Sequence, residues 1–341
     1  RNMRVLELYS GIGGMHYALK ESKIDYEVVI SIDINTTANE VYKHNFTDTL
    51  NLSRNIQSID AKEIKKLSID SILMSPPCQP FTRVGLKKDV LDERTNSFLH
   101  VLKLIPQIDT LKYILVENVK GFEVSEARNR LVESITNSGF NWKEFMLSPC
   151  QFGVPNTRHR YYLIAKRKDC GSFCFSDSSL AEYLPEDLLN IRKDSQSIAD
   201  MLEVDIDESE YLIPDKILEK HFSVLDVRTS SSSSSCCFTK AYSRYAEGTG
   251  SVYTQFSDEI VAKKYSEAKN LGDDINGKME VLRSLKLRYF TPREVSRLMS
   301  FPESFQFPNT ITKKQKYRLL GNSINVYVVS KLILLLKYED S

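Results

Sequence analysis

A strand, a glycine-rich turn and a helix follow one another at the start of the chain, and this order constrains the fold most strongly. Residues 4–9 alternate in a way that predicts a strand. Residues 10–14 read Ser-Gly-Ile-Gly-Gly, and residues 15–20 have a helical pattern. Glycines let backbone N–H groups approach a ligand at the start of a helix. The stretch predicts an α/β chain with a nucleotide-type turn, although His16 stands where a dinucleotide fingerprint needs a third glycine.

The second predicted strand, residues 26–32, ends in Asp33. A carboxylate at the tip of this strand can accept hydrogen bonds from two ribose hydroxyls. The glycine turn by itself is weak evidence for a cofactor, and helix packing is the alternative explanation. Together with Asp33 it favours an adenosine-containing cofactor, and Ile56 and Gln57 follow where a third loop would reach the adenine.

A proline-flanked cysteine follows the apolar run at residues 71–74, which predicts a short buried strand. Residues 75–80 read Ser-Pro-Pro-Cys-Gln-Pro, and prolines fix φ and remove backbone donors. Ligands bind at the carboxyl edge of open α/β sheets. We therefore interpret Cys78 as a preorganised nucleophile; the alternative is a buried core cysteine, since free cysteine is often buried.

An acid and two arginines stand beside two later strands. Glu117 follows the apolar residues 112–116, and an acid in that place costs free energy without a partner. It either pairs with an arginine or holds a substrate atom beside Cys78, and both roles are compatible. Arg158 and Arg160 are two apart, so on an extended segment they share one face. Two guanidinium groups suit a phosphate or a base oxygen, and a surface pair is the alternative.

Both ends of the chain are predicted to build one domain. The further predicted elements are helices at residues 36–45, 97–104, 125–138 and 326–336, strands at 142–147 and 161–165, and a helix with Thr291 as N-cap and Pro292 at its first position. Residues 170–282 are polar, and the serine run at residues 230–235 predicts a flexible loop. We expect a catalytic domain from residues 1–168 plus 310–341, with a smaller domain at residues 169–309.

Composition narrows the class of partner. The chain has 341 residues and a net charge of +1, so a nucleic acid would be held by a local basic patch. The candidate cations are Arg83, Lys87, Lys88, Arg94, Arg288, Lys313, Lys314 and Arg318. Residues 83–96 are interpreted as a mobile charged lid, with a solvated loop as the alternative. The six cysteines lack disulfide or zinc-site spacing, so we expect no metal and a reducing, intracellular compartment. No run of 18 apolar residues predicts a membrane span.

A thiol, a carboxyl group, two arginines and an adenosine cofactor suit methylation of cytosine. Carbon 5 of cytosine is a poor nucleophile. A thiolate that adds at carbon 6 makes an enamine able to take a methyl group from S-adenosylmethionine. An acid that donates a hydrogen bond to ring nitrogen 3 eases the addition, and the base must leave its stack.

The motifs resemble the cytosine-5 methyltransferase family in order and over nearly the whole chain. The matching segments are residues 8–14, 77–79, 117–119, 158–160 and 321–323. The resemblance implies a Rossmann-like S-adenosylmethionine-dependent domain with an inserted target-recognition domain. It makes Cys78 the nucleophile and Glu117 the acid, while Arg158 and Arg160 contact the base or stabilise the site. The residues it implies for cofactor binding are Tyr9, Ser10, Gly11, Ile12, Gly13, Gly14, Asp33, Ile34, Ile56, Gln57, Ser75, Ser97, Asn322 and Ser323.

Within the family the chain is most similar to the branch that methylates cytosine 38 in the anticodon loop of aspartate tRNA. Residues 237–239 match the Cys-Phe-Thr signature of that branch. Ser75 in place of a glycine and Asn156 in place of a glutamine fit it too. The substrate contacts this implies are Arg83, Lys87, Lys88, Arg94, Cys237, Phe238 and Thr239.

The same resemblance implies a monomer that acts on tRNA in the cytoplasm, with the nucleus as a second location and DNA as a weaker partner. Two alternatives stay open. One is a DNA cytosine-5 methyltransferase, and the other is a catalytically silent cofactor-binding scaffold.

Overall fold

The computed structural model describes residues 2–77, 93–173, 175, 180–192 and 194–338, with only the backbone at residues 93–95 and 188. Cys78, Arg83, Lys87, Lys88 and Cys174 lie outside these ranges, as does most of the predicted lid. Arg94 is described by its backbone alone.

Within the described residues, seven strands form one twisted α/β sheet. They are β1 (Met3–Leu8), β2 (Tyr26–Asp33), β3 (Asn51–Ser53), β4 (Ser71–Met74), β5 (Tyr113–Val119), β6 (Phe140–Leu147) and β7 (Arg160–Arg167). Their order is β3-β2-β1-β4-β5-β7-β6, and β7 alone runs in the opposite direction to the other six strands. The order reverses between β1 and β4, which is the switch point where open sheets bind ligands. The predicted Rossmann-like α/β class is confirmed.

Helices cover both faces of this sheet. The helices that the described residues form are α1 (Gly14–Ser22), α2 (Thr36–Asn45), α3 (Ala61–Lys66), α4 (Glu93–Leu104), α5 (Glu126–Asn137), α6 (Asp215–His221), α7 (Asp258–Asn270), α8 (Ile275–Ser284), α9 (Pro292–Leu298), α10 (Lys313–Gly321) and α11 (Val326–Lys337). Alternate strand residues point to opposite faces. Accordingly Val5 packs with α1 and α11, whereas its neighbour Leu6 packs with α3, α4 and α5.

The C-terminal helix α11 belongs to this core. It packs along α1, and nine of its side chains are buried. By length and composition residues 313–337 could cross a membrane, but 72% of the apolar window is buried inside the structure, as in the core helix of a globular protein. The packing of α11 returns residues 321–323 to the edge of the sheet where β1 ends.

A second apolar cluster lies between residues 213 and 287. It joins α6, α7 and α8 to a three-stranded sheet made of β8 (Asp226–Arg228), β9 (Ser251–Tyr253) and β10 (Arg288–Tyr289). Helix α7 was missed in the sequence because its apolar stripe is narrow: Ala268 is its only buried side chain, and Val261 and Tyr265 are partly buried against the cluster. The boundaries predicted at residues 169 and 309 stay a prediction, and α9 packs with the larger core.

The serine run has more contacts than a flexible loop would have. The carbonyls of Ser230 and Ser232 accept hydrogen bonds from the N–H groups of Ala199 and Ile198. Ser235 is buried, and its hydroxyl donates to the carbonyl of Pro155 at 2.6 Å. A flexible loop was expected because serine cannot build an apolar core, but these serines are held by hydrogen bonds.

Candidate active site

The glycine turn after β1 is held in left-handed backbone conformations. φ is +53° at Tyr9, +52° at Gly11 and +91° at Gly13. Asp33 at the end of β2 locks this shape: its Oδ2 accepts the N–H of Gly11 at 2.8 Å, and its Oδ1 accepts the N–H of Asn35 at 2.8 Å. The predicted turn and the predicted carboxylate therefore meet at one place.

Residues 322–324 close this place from the C-terminal side. A Cβ atom on Gly14 would lie 2.6 Å from the side chain of Ile324 and 2.9 Å from Oγ of Ser323. Only a glycine allows the start of α1 to approach this segment so closely. The contact brings Asn322 and Ser323 to the turn, as predicted for cofactor-binding residues.

The other predicted cofactor residues surround the same edge of the sheet. Ile34, directly after Asp33, is 73% exposed, which leaves an apolar face free for a flat ring. Ile56 is buried, Gln57 is exposed, and Ser75 follows β4 with partial exposure. Ser97 lies inside α4, which corrects the start of this helix predicted at residue 97. Its Oγ is 2.9 Å from the hydroxyl of Tyr9 and so ties α4 to the turn.

Two buried polar atoms near the turn lack a hydrogen-bond partner among the residues that the structure describes. They are Oγ of Ser10, within the turn, and Oε1 of Glu7, on β1 before it. Buried polar atoms are nearly always hydrogen-bonded. Glu7 is fully buried against Tyr42 and His16, whereas Oγ of Ser10 lies in the turn itself and is the one of the two placed to meet a bound polar group. With the Asp33 carboxylate and the exposed Ile34, it fits a nucleoside cofactor that also carries a polar tail.

The catalytic acid predicted at Glu117 lies near the end of β5, buried beside the first residue of β7. Oε1 of Glu117 is 3.5 Å from Nε of Arg160. Burial raises the pKa of the Glu117 carboxyl, and attraction to Arg160 and Arg158 partly opposes that rise. Both readings of Glu117, a partnered acid and a group facing the site, agree with this geometry.

The segment that leads to Cys78 is tied to the same strand end. Nδ2 of Asn118 donates to the carbonyl of Pro76 at 3.4 Å. Pro76 is two residues before Cys78, and Asn118 is adjacent to Glu117. The chain therefore enters the cysteine motif beside the acid.

Arg158 is buried and bonded to backbone carbonyls from two distant segments. Its Nη1 donates to the carbonyl of Phe238 at 3.0 Å. Its Nη2 donates to the carbonyls of Gly321 at 3.0 Å and Ser323 at 2.5 Å. These bonds make Arg158 a positioning residue that holds the Cys-Phe-Thr segment and the segment at residues 321–323 together.

The thiol of Cys237 lies between the two predicted arginines. Its Sγ is 3.5 Å from Nη1 of Arg158 and 3.7 Å from Nη2 of Arg160. The Phe238 ring, by contrast, is buried against Tyr242, with ring centroids 4.9 Å apart. The ring is thus a core side chain, and the substrate-contact roles predicted for Cys237 and Thr239 stay predictions.

A hydrogen-bonded bracket between Asn156 and Ser235 was missed by the sequence analysis. Nδ2 of Asn156 donates to Oγ of Ser235 at 3.1 Å and to the carbonyl of Cys236 at 3.0 Å. The N–H of Thr157 donates to the carbonyl of Ser235 at 2.9 Å. No local sequence pattern predicts these hydrogen bonds, because Asn156 and Ser235 are about eighty residues apart in the sequence.

One predicted RNA contact is wrong. Arg288 is buried, and its Nη1 and Nη2 each lie 2.9 Å from an oxygen of the buried Glu294. The guanidinium is therefore committed to this ion pair. Among the described residues no cluster of three or more His, Cys, Asp or Glu side chains could hold a metal ion; the expectation of no metal stays a prediction.

The sheet order, the reversed β7 and the ligand-binding turn define a Rossmann-like methyltransferase. The sequence profile of the C-5 cytosine-specific DNA methylases matches residues 3–337, and the chain belongs to that family.

Similar proteins include both RNA and DNA enzymes by name. The tRNA (cytosine(38)-C(5))-methyltransferase of Spodoptera frugiperda is 48% identical over 98% of each chain. A crystal structure of a DNMT2 mutant from the same organism has a TM-score of 0.90 at 47% identity, and covers 98% of this chain and 99% of that one. A protein of Dictyostelium discoideum named DNA (cytosine-5)-methyltransferase is 38% identical over 97% of this chain and 93% of its own.

Proposed function

We propose that this protein transfers a methyl group from S-adenosylmethionine to carbon 5 of cytosine 38 in tRNA, with aspartate tRNA as the substrate. The observation that carries the proposal is the meeting of Glu117, Arg160 and Cys237 beside the segment that leads to Cys78. The similarity over full length to a tRNA (cytosine(38)-C(5))-methyltransferase supports the RNA substrate.

Glu117 is suited to donate a hydrogen bond to ring nitrogen 3. Because burial raises its pKa, the carboxyl keeps its proton at pH values where an exposed glutamate has lost it. Only a protonated carboxyl can donate a hydrogen bond. Arg160 limits the rise in pKa and keeps the carboxyl oriented at the end of β5.

Cys78 acts as the nucleophile in this proposal. Its thiolate adds to carbon 6, and the ring electrons move to carbon 5. S-adenosylmethionine, when bound, would supply the electrophilic methyl group to carbon 5 and leave as S-adenosylhomocysteine. Loss of the proton from carbon 5 to a base then expels the thiolate and restores the ring. The bond between Asn118 and Pro76 supports a cysteine placed near Glu117.

The cofactor is assigned to the turn after β1. Asp33 would hold the ribose hydroxyls, because its carboxylate is fixed by two backbone N–H groups. Ile34 would contact the adenine with its exposed face. The unpartnered Oγ of Ser10 would complete its hydrogen bonding near the amino-acid part.

A loop nucleotide is a more accessible target than a paired base. A base in the anticodon loop is already partly unstacked, so moving it into a pocket costs less than from a duplex. The alternative function, methylation of cytosine in DNA, is supported by the description of the family and by the name of the Dictyostelium discoideum protein.

The test is transfer of label from S-adenosylmethionine to aspartate tRNA and, in parallel, to duplex DNA. A tRNA with uridine in place of cytosine 38 controls for position. Cys78→Ala removes the proposed nucleophile, and Cys170→Ala is the matched cysteine control. We expect label on the unaltered tRNA only, lost with Cys78→Ala and retained with Cys170→Ala. Label on DNA alone would establish the DNA reading, and bound cofactor without any transfer would favour a scaffold.

A further inference from the structure

A closed loop follows the Cys-Phe-Thr segment. It spans residues 239–250, and we call it the 239–250 loop. The N–H of Thr239 donates to the carbonyl of Thr249 at 2.9 Å, which joins its two ends. Oγ1 of Thr249 donates to the carbonyl of Tyr245 at 2.8 Å, which fixes the far side of the loop.

The interior of the loop is rigidly packed. Tyr242 is buried, with its ring edge-on to Phe238 at 4.9 Å and to Tyr317 at 5.0 Å between centroids. Its hydroxyl donates to the carbonyl of Ser251 at 2.5 Å. A Cβ on Gly250 would lie 2.7 Å from both the Phe238 and Tyr242 rings, so there is no slack at the closing end.

The start of the loop packs closely against Gly321, next to the segment at residues 321–323. A Cβ on Gly321 would lie 2.3 Å from the backbone of Thr239 and Lys240. The carbonyl of Gly321 in turn accepts a hydrogen bond from Arg158. The position of the loop is therefore set by the same residues that hold the Cys-Phe-Thr segment.

The rigid loop presents an aromatic ring and a guanidinium to solvent. Tyr245 is 62% exposed, and Cζ of Arg244 lies 5.8 Å from its ring centroid. Ser243, just before them, has φ of +68°, a left-handed conformation that is uncommon for serine. Such backbone strain is characteristic of functional loops. Because most of the Tyr245 ring is exposed, it contributes little to the packing of the loop.

We propose that Tyr245 stacks on an unpaired base next to the target cytosine, and that Arg244 contacts the adjoining phosphate. The proposal rests on the RNA substrate of the proposed function. Proteins recognise single-stranded RNA mainly by stacking its bases on aromatic rings. Because the loop is already ordered, little conformational entropy is lost when RNA binds.

The first experiment measures the dissociation constant for an aspartate tRNA anticodon stem-loop, with Tyr245→Ala and Tyr245→Phe. Stacking on one base corresponds to roughly a 5- to 150-fold change in affinity. We expect that loss with Tyr245→Ala and near wild-type binding with Tyr245→Phe, which keeps the ring. Tyr183→Ala is the matched control, since Tyr183 is 72% exposed and lies outside the loop. Affinity for S-adenosylmethionine and the thermal midpoint should stay unchanged.

The second experiment identifies the stacked base. Abasic residues replace the two nucleotides that flank the target cytosine, one at a time. One of them should weaken the wild type but not Tyr245→Ala, because the partner of the ring is already missing. Arg244→Ala should lower the slope of log affinity against log salt by about one phosphate contact, and Tyr245→Ala should not.

The results separate this inference from the proposed function. If binding depends on the Tyr245 ring but no methyl group is transferred, the proposed function is refuted and the stacking role of Tyr245 stands. If methyl transfer occurs and wild type and Tyr245→Ala bind with equal affinity, only the stacking role is overturned. A loss with Tyr245→Phe as large as with Tyr245→Ala, or no flanking base coupled to Tyr245, would also overturn stacking; the latter would indicate that the ring serves another partner.

Discussion

Glu7→Gln should make the protein less stable than wild type at low pH and more stable than wild type at high pH. Glu7 is fully buried on β1, and burial raises the pKa of its carboxyl to about 8, although Tyr42 donates a hydrogen bond to Oε2 at 2.7 Å. The charge of Asp33 adds to the rise in the pKa of Glu7. No positive charge from His16 opposes it, because burial and Lys20 lower the pKa of His16, whose Nδ1 is 2.9 Å from the Tyr42 hydroxyl, to about 4.

The magnitude follows from the two pKa values of Glu7. The carboxyl ionises near 4.5 in the unfolded chain and near 8 in the folded one, so the unfolded state binds fewer protons between these values and stability falls as pH rises. At 1.36 kcal/mol per pKa unit, the wild type loses about 4 kcal/mol between about pH 5 and about pH 8.5 through this group. Glutamine removes that loss, but its amide lacks an acceptor where Oε1 is unpartnered, which costs about 1–3 kcal/mol at every pH.

We therefore expect Glu7→Gln to be slightly less stable than wild type near pH 5 and about 2–3 kcal/mol more stable near pH 8.5. Urea unfolding of the cofactor-free protein at several pH values measures this difference. Glu133→Gln on the exposed face of α5 is the control and should change by less than about 0.5 kcal/mol at any pH. Parallel stability curves for wild type and Glu7→Gln would refute the assignment of a buried, neutral carboxyl.

Three further changes test the site. In wild type, the rate of methyl transfer should fall as pH rises through the raised pKa of Glu117. Glu117→Gln should lower kcat by about 100-fold and remove this fall at high pH. A variant with the pH profile of wild type would contradict the role of Glu117 as the proton-bearing acid. Asp33→Asn loses one acceptor for the N–H groups that hold the turn, so the KM for S-adenosylmethionine should rise about 10-fold while RNA affinity stays constant. Gly321→Ala should lower the stability measured in a thermal melt by about 3 kcal/mol, since the added Cβ would lie 2.3 Å from backbone atoms. Gly272→Ala is the control: its Cβ would meet nothing within 4 Å, so it should lower stability by only about 1 kcal/mol through backbone strain. Equal losses would refute the close approach at Gly321.

Local sequence was sufficient for the cofactor half of the site. The turn at residues 10–14 and Asp33 stand directly after strands whose alternation is plain, and parallel strands bring their carboxyl ends to one edge. The helix capped by Thr291 was also predictable: Thr291 and Glu294 form a capping box, which is a pattern within four residues. The start of α4 was predicted at residue 97, four residues too late, because the polar residues 93–96 do not show the apolar pattern of a helix.

Contacts between distant segments were beyond the sequence. Nothing near Arg158 indicates that its guanidinium binds carbonyls at residues 238, 321 and 323, and nothing near Arg288 indicates that it is buried with Glu294. The serine run read as flexible because composition reports the lack of apolar side chains and not the hydrogen bonds that Ser235 makes to the 155–157 segment.

The sequence by itself determined the α/β class, the cofactor turn and the types of side chain available for chemistry, since strand period, glycine and proline act over a few residues. Only the tertiary structure decided that Cys237 lies between Arg158 and Arg160, and that the 239–250 loop, which starts against Gly321, carries an exposed Tyr245. These arrangements depend on packing between segments far apart in the chain, and no local preference encodes such a pairing.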